Sequence, residues 1–268
     1  MKDEPKQAQG GGERLSSETI LGITFHTGTS GEAIEAALSG ALVLAPSGPG
    51  LAGDLVESET YREALQGAEI NLTDSGFLLL LWRAKTGRKL PRLSGLGYLQ
   101  ALLKHSSTKS EGGTFWVMPN ASELTKNVSW LQQQGLNITA ENCYLAPHYG
   151  AGQIKDLALL ESIRRKQPKL VIIAIGGGVQ ERLGWWLSGA FKPREGRPGV
   201  VCIGAAIAFL SGAQNNIPSW ADRWMLGWLF RVLASPGRYV PRYWRALRLA
   251  GLVIRHGANL PPLLPGKP

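Results

Sequence analysis

The stretch Lys169-Leu-Val-Ile-Ile-Ala-Ile175-Gly-Gly-Gly178-Val-Gln-Glu181 decides the architecture of this 268-residue chain. Leu170 to Ile175 is aliphatic without a break, lacking the alternation of a strand with one wet face. Such a run fits a parallel strand buried on both faces. Three glycines end it, and a helix is predicted from Gln180 to Ser188. Backbone N–H groups at the start of such a helix form a cradle for an anion or a pyrophosphate. The turn is neither a strict G-x-G-x-x-G nor a Walker A loop, because no Gly-Lys-Ser/Thr follows. A phosphate cradle and a merely tight connection both stay open for it.

Toward the N-terminus, strand-like and helix-like pieces alternate. Ile20 to Phe25, Leu42 to Ala45, Ala68 to Leu72, Thr114 to Met118 and Ile138 to Leu145 read as strands. Ser30 to Leu38, Ser58 to Gln66, Gly76 to Lys85, Leu96 to Lys104, Ala121 to Gln134 and Ile154 to Lys166 read as helices. Ser30 is the expected N-cap of the first helix, with Glu32 close behind. Pro46-Ser-Gly-Pro-Gly50 reads as the stop after the second strand, and Val200 to Gly204 as a last buried strand. This alternation predicts an α/β fold with a Rossmann-like, mostly parallel sheet and helices on both faces. The domain is expected over residues 18–212. Residues 1–17 are polar and Gly-rich, an expected disordered leader without the apolar core of a secretory signal.

Hydrophobic residues make up 44% of the chain and charged residues 18%, which supports a sizeable core and excludes a disordered basic protein. Cys143 and Cys202, the only cysteines, form no CxxC pair, so free thiols in a reducing compartment are expected. His26, His105, His148 and His256 show no H-x-x-x-H or H-E-x-x-H spacing, so no metal site is expected. The longest apolar runs, such as Val200 to Leu210, fall short of the ~18 residues of a spanning helix. A cytoplasmic protein with peripheral membrane contact is the expectation.

Two further features carry chemistry. Leu72-Thr-Asp74-Ser-Gly76 follows a predicted strand, at the carboxyl end where parallel sheets hold their ligands. Asp74 is placed there as a general base, and the competing reading makes it the N-cap of the next helix. The second feature is an appendage at 213–268. It holds seven arginines and Lys267 against the single acid Asp222, so most of the net charge of +9 resides in it. Trp220, Trp224, Trp228, Trp244, Tyr239 and Tyr243 are interleaved with these arginines, and helices are predicted at Trp220 to Leu233 and Tyr239 to Arg255. Arg242, Arg245 and Arg248 share one helical face, and Tyr243, Leu247, Ala250 and Ile254 fall on the opposite face. A cationic amphipathic helix with interfacial tryptophans fits an anionic membrane surface better than a DNA groove. No nucleic-acid partner is expected, because no recognition motif accompanies the charge.

Together these pieces resemble the WecG/TagA/CpsF glycosyltransferases, glycosyltransferase family 26. The likeness runs from Ile20 to about Arg248. It is carried by Ile20 to Phe25 with Ser30 to Ala37, by Tyr61-Arg-Glu-Ala-Leu65 followed by Ala68 to Gly76, and by Arg92 with Gly95. Leu170 to Gly176 with Val179-Gln-Glu181 is similar to the family's glycine turn and Gln-Glu pair. Gly204, Phe209, Leu210 and Gly212 match a later strand and glycine turn. Pro218, Trp220, Gly227 to Arg231, Pro236, Arg238, Arg242 and Tyr243 resemble its ending.

The resemblance implies inverting transfer of an N-acetylhexosamine or hexose from a UDP-sugar donor to an undecaprenyl-diphosphate-linked acceptor, in cell-surface polysaccharide biosynthesis. It also implies chemistry without a metal or other cofactor, and an appendage that docks on the membrane and helps close the site. Asp74 matches the family's base. Ser47, Ser75, Gly76, Arg92, Gly176, Gln180 and Glu181 would line the pocket, and Arg231, Arg238 and Arg242 would contact the diphosphate. The family's Thr-x-Asn appears here as Ala45-Pro46-Ser47, and its polar residues at three further positions are Gly97, Ala208 and Gly227. These replacements keep open a second reading, a family-fold protein without turnover that serves as a binding partner in the same pathway. A homo-oligomer is compatible with either reading.

Overall fold

The computed structural model describes residues 15–110, 112–191, 196–213 and 247–265. Its centre is a six-stranded sheet in the order β4-β3-β8-β7-β5-β6. The strands are β3 (Leu42–Leu44), β4 (Ile70–Asn71), β5 (Thr114–Met118), β6 (Cys143–Leu145), β7 (Leu170–Ile173) and β8 (Gly199–Cys202). Every pairing is parallel; Val171, for instance, lies opposite Phe115 on one side and Val200 on the other. All carboxyl ends therefore open on one edge, and that edge positions the site.

The aliphatic run behaves as its composition demands. Val171 and Ile173 join one apolar cluster, while Leu170 and Ile172 join a second on the opposite face. The first cluster is covered by α4 (Glu59–Gly67), α5 (Gly76–Thr86), α9 (Leu157–Lys166) and α10 (Val179–Ala190). The second lies under α1 (Ser30–Leu38), α6 (Gly95–Leu102), α8 (Ala121–Gln133) and α11 (Ala206–Leu210). Short helices α2 (Gly48–Ala52), α3 (Asp54–Glu57) and α7 (Ser106–Lys109) fill connections, and a 3₁₀ turn at Ala140–Asn142 precedes β6. Burial of a full-sized aliphatic side chain contributes about 1.5–3 kcal/mol. Leu42, Leu44, Val171, Ile173, Val200 and Val201 are all fully buried, so the sheet holds both helical layers.

Several expectations need correction. The run Ile20 to Phe25 is not one strand. It breaks into β1 (Ser17–Ile20) and β2 (Ile23–His26), an antiparallel hairpin turning at Leu21 and Gly22, both with positive φ. Leu21 tolerates that conformation because Leu21 and Gly22 donate their N–H groups to Gly257 and Ala258 and lie under Leu260. Thr29, not Ser30, caps α1, accepting from the Glu32 N–H. Pro46 to Gly50 does stop β3, but Ser47 then caps α2. Phe209 and Leu210 lie on the helix α11 and not on a strand.

Residues 247–256 form a final helix, α12, packed on the body of the protein. Its predicted apolar face is also corrected. Leu249 and Val253 are buried in the first cluster, whereas Leu247 and Ile254 are more than half exposed. The rest of the predicted appendage, with the tryptophans and Arg231, Arg238, Arg242 and Arg245, lies outside the described residues, as does most of the leader. Cys143 and Cys202 are free thiols, and burial raises both pKa values, Cys143 to about 12.

Candidate active site

Asp74 follows β4 at the carboxyl edge of the sheet, half-buried. It does not cap the next helix. Ser75 does that, its Oγ accepting the Leu78 N–H at 3.2 Å. The Asp74 side chain instead reaches across to α6, where its Oδ1 accepts the Gly95 N–H at 2.9 Å. The approach at Gly95 is tight: a Cβ there would lie 3.2 Å from the Ala45 methyl and 3.4 Å from the Ile203 carbonyl. Thr73 fastens the intervening loop. Its buried hydroxyl donates to the Pro91 carbonyl at 2.8 Å and accepts the Leu93 N–H at 2.9 Å. That grip carries Arg92 over the strand end, where Nε donates to the Asp74 carbonyl at 3.2 Å. A carboxylate and a guanidinium are thus held at one corner of the sheet edge.

The neighbouring strand ends complete a crevice. Ser47, after β3, caps α2 through the Gly50 N–H, and a Cβ on Gly177 would sit 3.5 Å from its Oγ. Gly76 opens α5 beside Ser75, whose Oγ lies against Gly48. After β7, Gly176 and Gly177 are exposed at the mouth, while Gly178 is buried with φ +86°. The N-terminus of α10 opens directly behind them, so N–H groups and the positive end of the helix face the crevice. Residues from the ends of β4, β3, β8 and β7, four adjacent strands, therefore line one edge of the sheet.

Gln180 and Glu181 are placed differently from the rest. Both side chains turn inward and are almost fully buried. Gln180 Oε1 accepts the Gly204 N–H at 2.6 Å, and its Nε2 donates to Glu181 Oε1 at 3.2 Å. Glu181 Oε2 accepts the Gly178 N–H at 2.7 Å. The pair ties the glycine turn of β7 to the end of β8. Burial lifts the Glu181 carboxyl to about 7, with the Asp54 charge pushing the same way against these hydrogen bonds. Tyr61 lies in the same buried cluster, its hydroxyl unpartnered and its pKa raised by burial and by Glu181 and Asp54.

The WecG/TagA/CpsF glycosyl transferase family model matches residues 18–261, which spans the sheet, this crevice and α12. The chain belongs to this family. It is a glycosyltransferase. Two relatives share 24% identity with it, and both bear the name N-acetylglucosaminyldiphosphoundecaprenol N-acetyl-beta-D-mannosaminyltransferase. The Bacillus subtilis protein aligns over 210 residues, 75% of this chain and 77% of its own. The Bacillus spizizenii protein aligns over 209 residues, 73% and 74% respectively.

Among the site residues read from the sequence of this WecG/TagA/CpsF member, the structure brings Asp74, Ser47, Ser75, Gly76, Arg92 and Gly176 to one edge. Gln180 and Glu181 support that edge from beneath. Arg231, Arg238 and Arg242 lie outside the described residues. Sequence reading missed four supports: Thr73, the Gly95 N–H, the half-buried Asp54 and the buried Tyr61 behind the glycine turn. Only Thr73 carried a local signal, a hydroxyl residue next to the acid. Among the described residues no group of His, Cys, Asp and Glu is arranged to hold a metal ion.

Proposed function

We propose that this glycosyltransferase moves an N-acetylhexosamine or hexose from a UDP-sugar to a lipid-diphosphate-linked sugar, with inversion, in the assembly of a cell-surface polysaccharide. The observation that carries this is the fixed Asp74 carboxylate after β4, on the same carboxyl edge as the exposed Gly176–Gly177 turn after β7, with the ends of β3 and β8 between them. A base and a phosphate cradle face a common space. The mannosaminyltransferase relatives support N-acetylmannosamine as the donor sugar and an undecaprenyl-diphosphate-linked N-acetylglucosamine as the acceptor.

The acceptor hydroxyl gives its proton to Asp74 while its oxygen attacks the anomeric carbon. The bond from that carbon to the UDP oxygen breaks, and UDP leaves with the electron pair. Arg92, the Gly176 and Gly177 N–H groups, and Arg231, Arg238 and Arg242 are assigned to the negative charge that grows on the diphosphate. No metal ion is assigned a role, so turnover is expected to survive a chelator. Peripheral membrane contact is part of the proposal. No helix among the described residues is long and apolar enough to cross a membrane. The exposed Leu247 and Ile254 on α12, with the exposed Arg255 beside them, support a surface docked on anionic lipid, while Arg248 is paired with Glu57. Phe77 and Leu80 on α5 are also exposed, and Lys85 of α5 donates to the Ile254 carbonyl.

Ala45 favours a second reading. Its methyl group faces Gly95 beside Asp74, where a polar group is expected in the family. A protein that binds the nucleotide without turning it over would then serve as a scaffold. Mass spectrometry of a short-chain lipid-diphosphate-N-acetylglucosamine incubated with UDP-N-acetylmannosamine, UDP-N-acetylglucosamine or UDP-glucose separates the two. A disaccharide product in the presence of EDTA is expected. UDP binding without any product favours the scaffold, and absence of UDP binding removes both.

A further inference from the structure

The cavity between α4 and α10 is separate from the crevice. Its volume is about 350 Å³, and Trp185, Trp186, Arg182, Glu63, Thr60 and Gln153 are among its lining residues. Helix α10 divides it from the sheet. On the inner face of that helix Gly184 presses on Cys202, Leu42 and Val200 so closely that a Cβ would fall 2.6 Å from the Cys202 sulfur. Arg182, Trp185, Trp186 and Gly189, spaced i, i+3, i+4 and i+7, face the other way into the cavity.

The walls are preformed. The outer edge of the Trp185 ring lies against Gly67, where a Cβ would meet Cη2 at 2.2 Å, so a larger residue there would displace the indole. Arg182 is spent on the backbone: its Nε donates to the Gly178 carbonyl at 3.0 Å and its Nη1 to the carbonyls of Gly150 and Gly152. In contrast, Glu63 and Gln153 are exposed at the rim, and their side chains and the two half-buried indole N–H groups make no hydrogen bond to protein among the described residues.

We infer that this cavity is a second binding site, one for an uncharged pyranose sugar. Indole surface suits the apolar C–H faces of a sugar ring, and ligand pockets combine such walls with a few convergent polar groups. The unpartnered set here offers both acceptors and donors, as a ring of hydroxyl groups requires. Phosphate is disfavoured, because among the described lining residues the Arg182 guanidinium is already bound to carbonyls and the other charge is the carboxylate of Glu63. The site is therefore distinct in chemistry from the crevice, and the inference stands whether or not the proposed transfer reaction does.

Saturation-transfer NMR of the full-length protein with N-acetylglucosamine, with and without saturating UDP, tests it. A monosaccharide is expected to bind saturably with a Kd of about 1 mM. UDP should not displace it. Trp186→Ala and Glu63→Gln, each checked for an unchanged melting temperature, should each weaken binding by about tenfold, near 1.4 kcal/mol. Glu63→Gln keeps the test valid if the tryptophan variant fails to fold. Absence of saturable binding, displacement by UDP, or full affinity in the folded Glu63→Gln variant would overturn the inference. So would a shift of oligomeric state on Trp186→Ala without sugar binding, which would make this face a protein interface.

Discussion

Glu181 has no exposed surface, yet it carries a carboxyl group, and its raised pKa has a consequence for stability. The shift runs from the ordinary 4.5 up to about 7, caused first by burial and then by Asp54. Between these values the native protein keeps the proton while the unfolded chain gives it up. The stability contributed by the protonated form is complete below pH 4.5 and is lost as pH rises through 7. At 1.36 kcal/mol per pH unit, the loss is roughly 3 kcal/mol. Urea unfolding of the wild type should weaken across this window, and Glu181→Gln should flatten that dependence. A Gln keeps an oxygen for the Gly178 N–H but sets its NH₂ against the Gln180 amide. The variant should therefore also loosen the Gly204 hydrogen bond and raise KM for the donor more than it lowers kcat. An unchanged pH profile in the variant would show that Glu181 is ionised in the native protein.

The elements fit one another closely where glycines allow it. Gly199 opens β8 under α1, and a Cβ there would lie 1.9 Å from the Ala37 carbonyl oxygen. That oxygen is backbone and has nowhere to go, so Gly199→Ala is expected to cost at least about 1–3 kcal/mol. Thermal unfolding measures this directly; an unaltered melting temperature would contradict the packing described. Such contacts are invisible in a sequence, whereas the elements themselves were largely legible. The β7 run was readable because a strand buried on both faces admits almost nothing but aliphatic side chains. Ser30 to Leu38 and Thr114 to Met118 were readable to their ends. The β1–β2 hairpin was not, because its turn holds a leucine with positive φ, stabilised by Gly257 and Ala258 far along the chain. The buried face of α12 was misjudged for the same reason. Its orientation is set by burial of Leu249 and Val253 in the first cluster, which the helix's own sequence does not reveal. At the site, Asp74 and the glycine turn stood out locally, but the Gly95 donor and the inward turn of Gln180 arise only from the assembled sheet edge.

For the molecule as a whole, the last described segment is integral to the body. Arg62 donates to the Pro261 carbonyl, and the Leu264 N–H donates to Val56. Truncation after Gly212 would therefore remove core contacts as well as positive charge. Aspartate in place of Leu247 and Ile254 is the cleaner probe, since both side chains are exposed. The double variant should keep its fold and lose at least about tenfold in cosedimentation with phosphatidylglycerol vesicles. The wild-type association should weaken with added salt, because charges near an anionic surface are screened over about 8 Å at physiological ionic strength. Equal cosedimentation of the variant would move the docking surface elsewhere. Turnover itself rests on Asp74, and the most direct measurement is the rate of sugar transfer by Asp74→Asn against the wild type. The asparagine keeps an oxygen for the Gly95 N–H, so the fold and UDP binding should persist, while kcat should fall about 10²–10⁴-fold. A variant that transfers sugar as fast as the wild type would contradict the assignment of this carboxylate as the base.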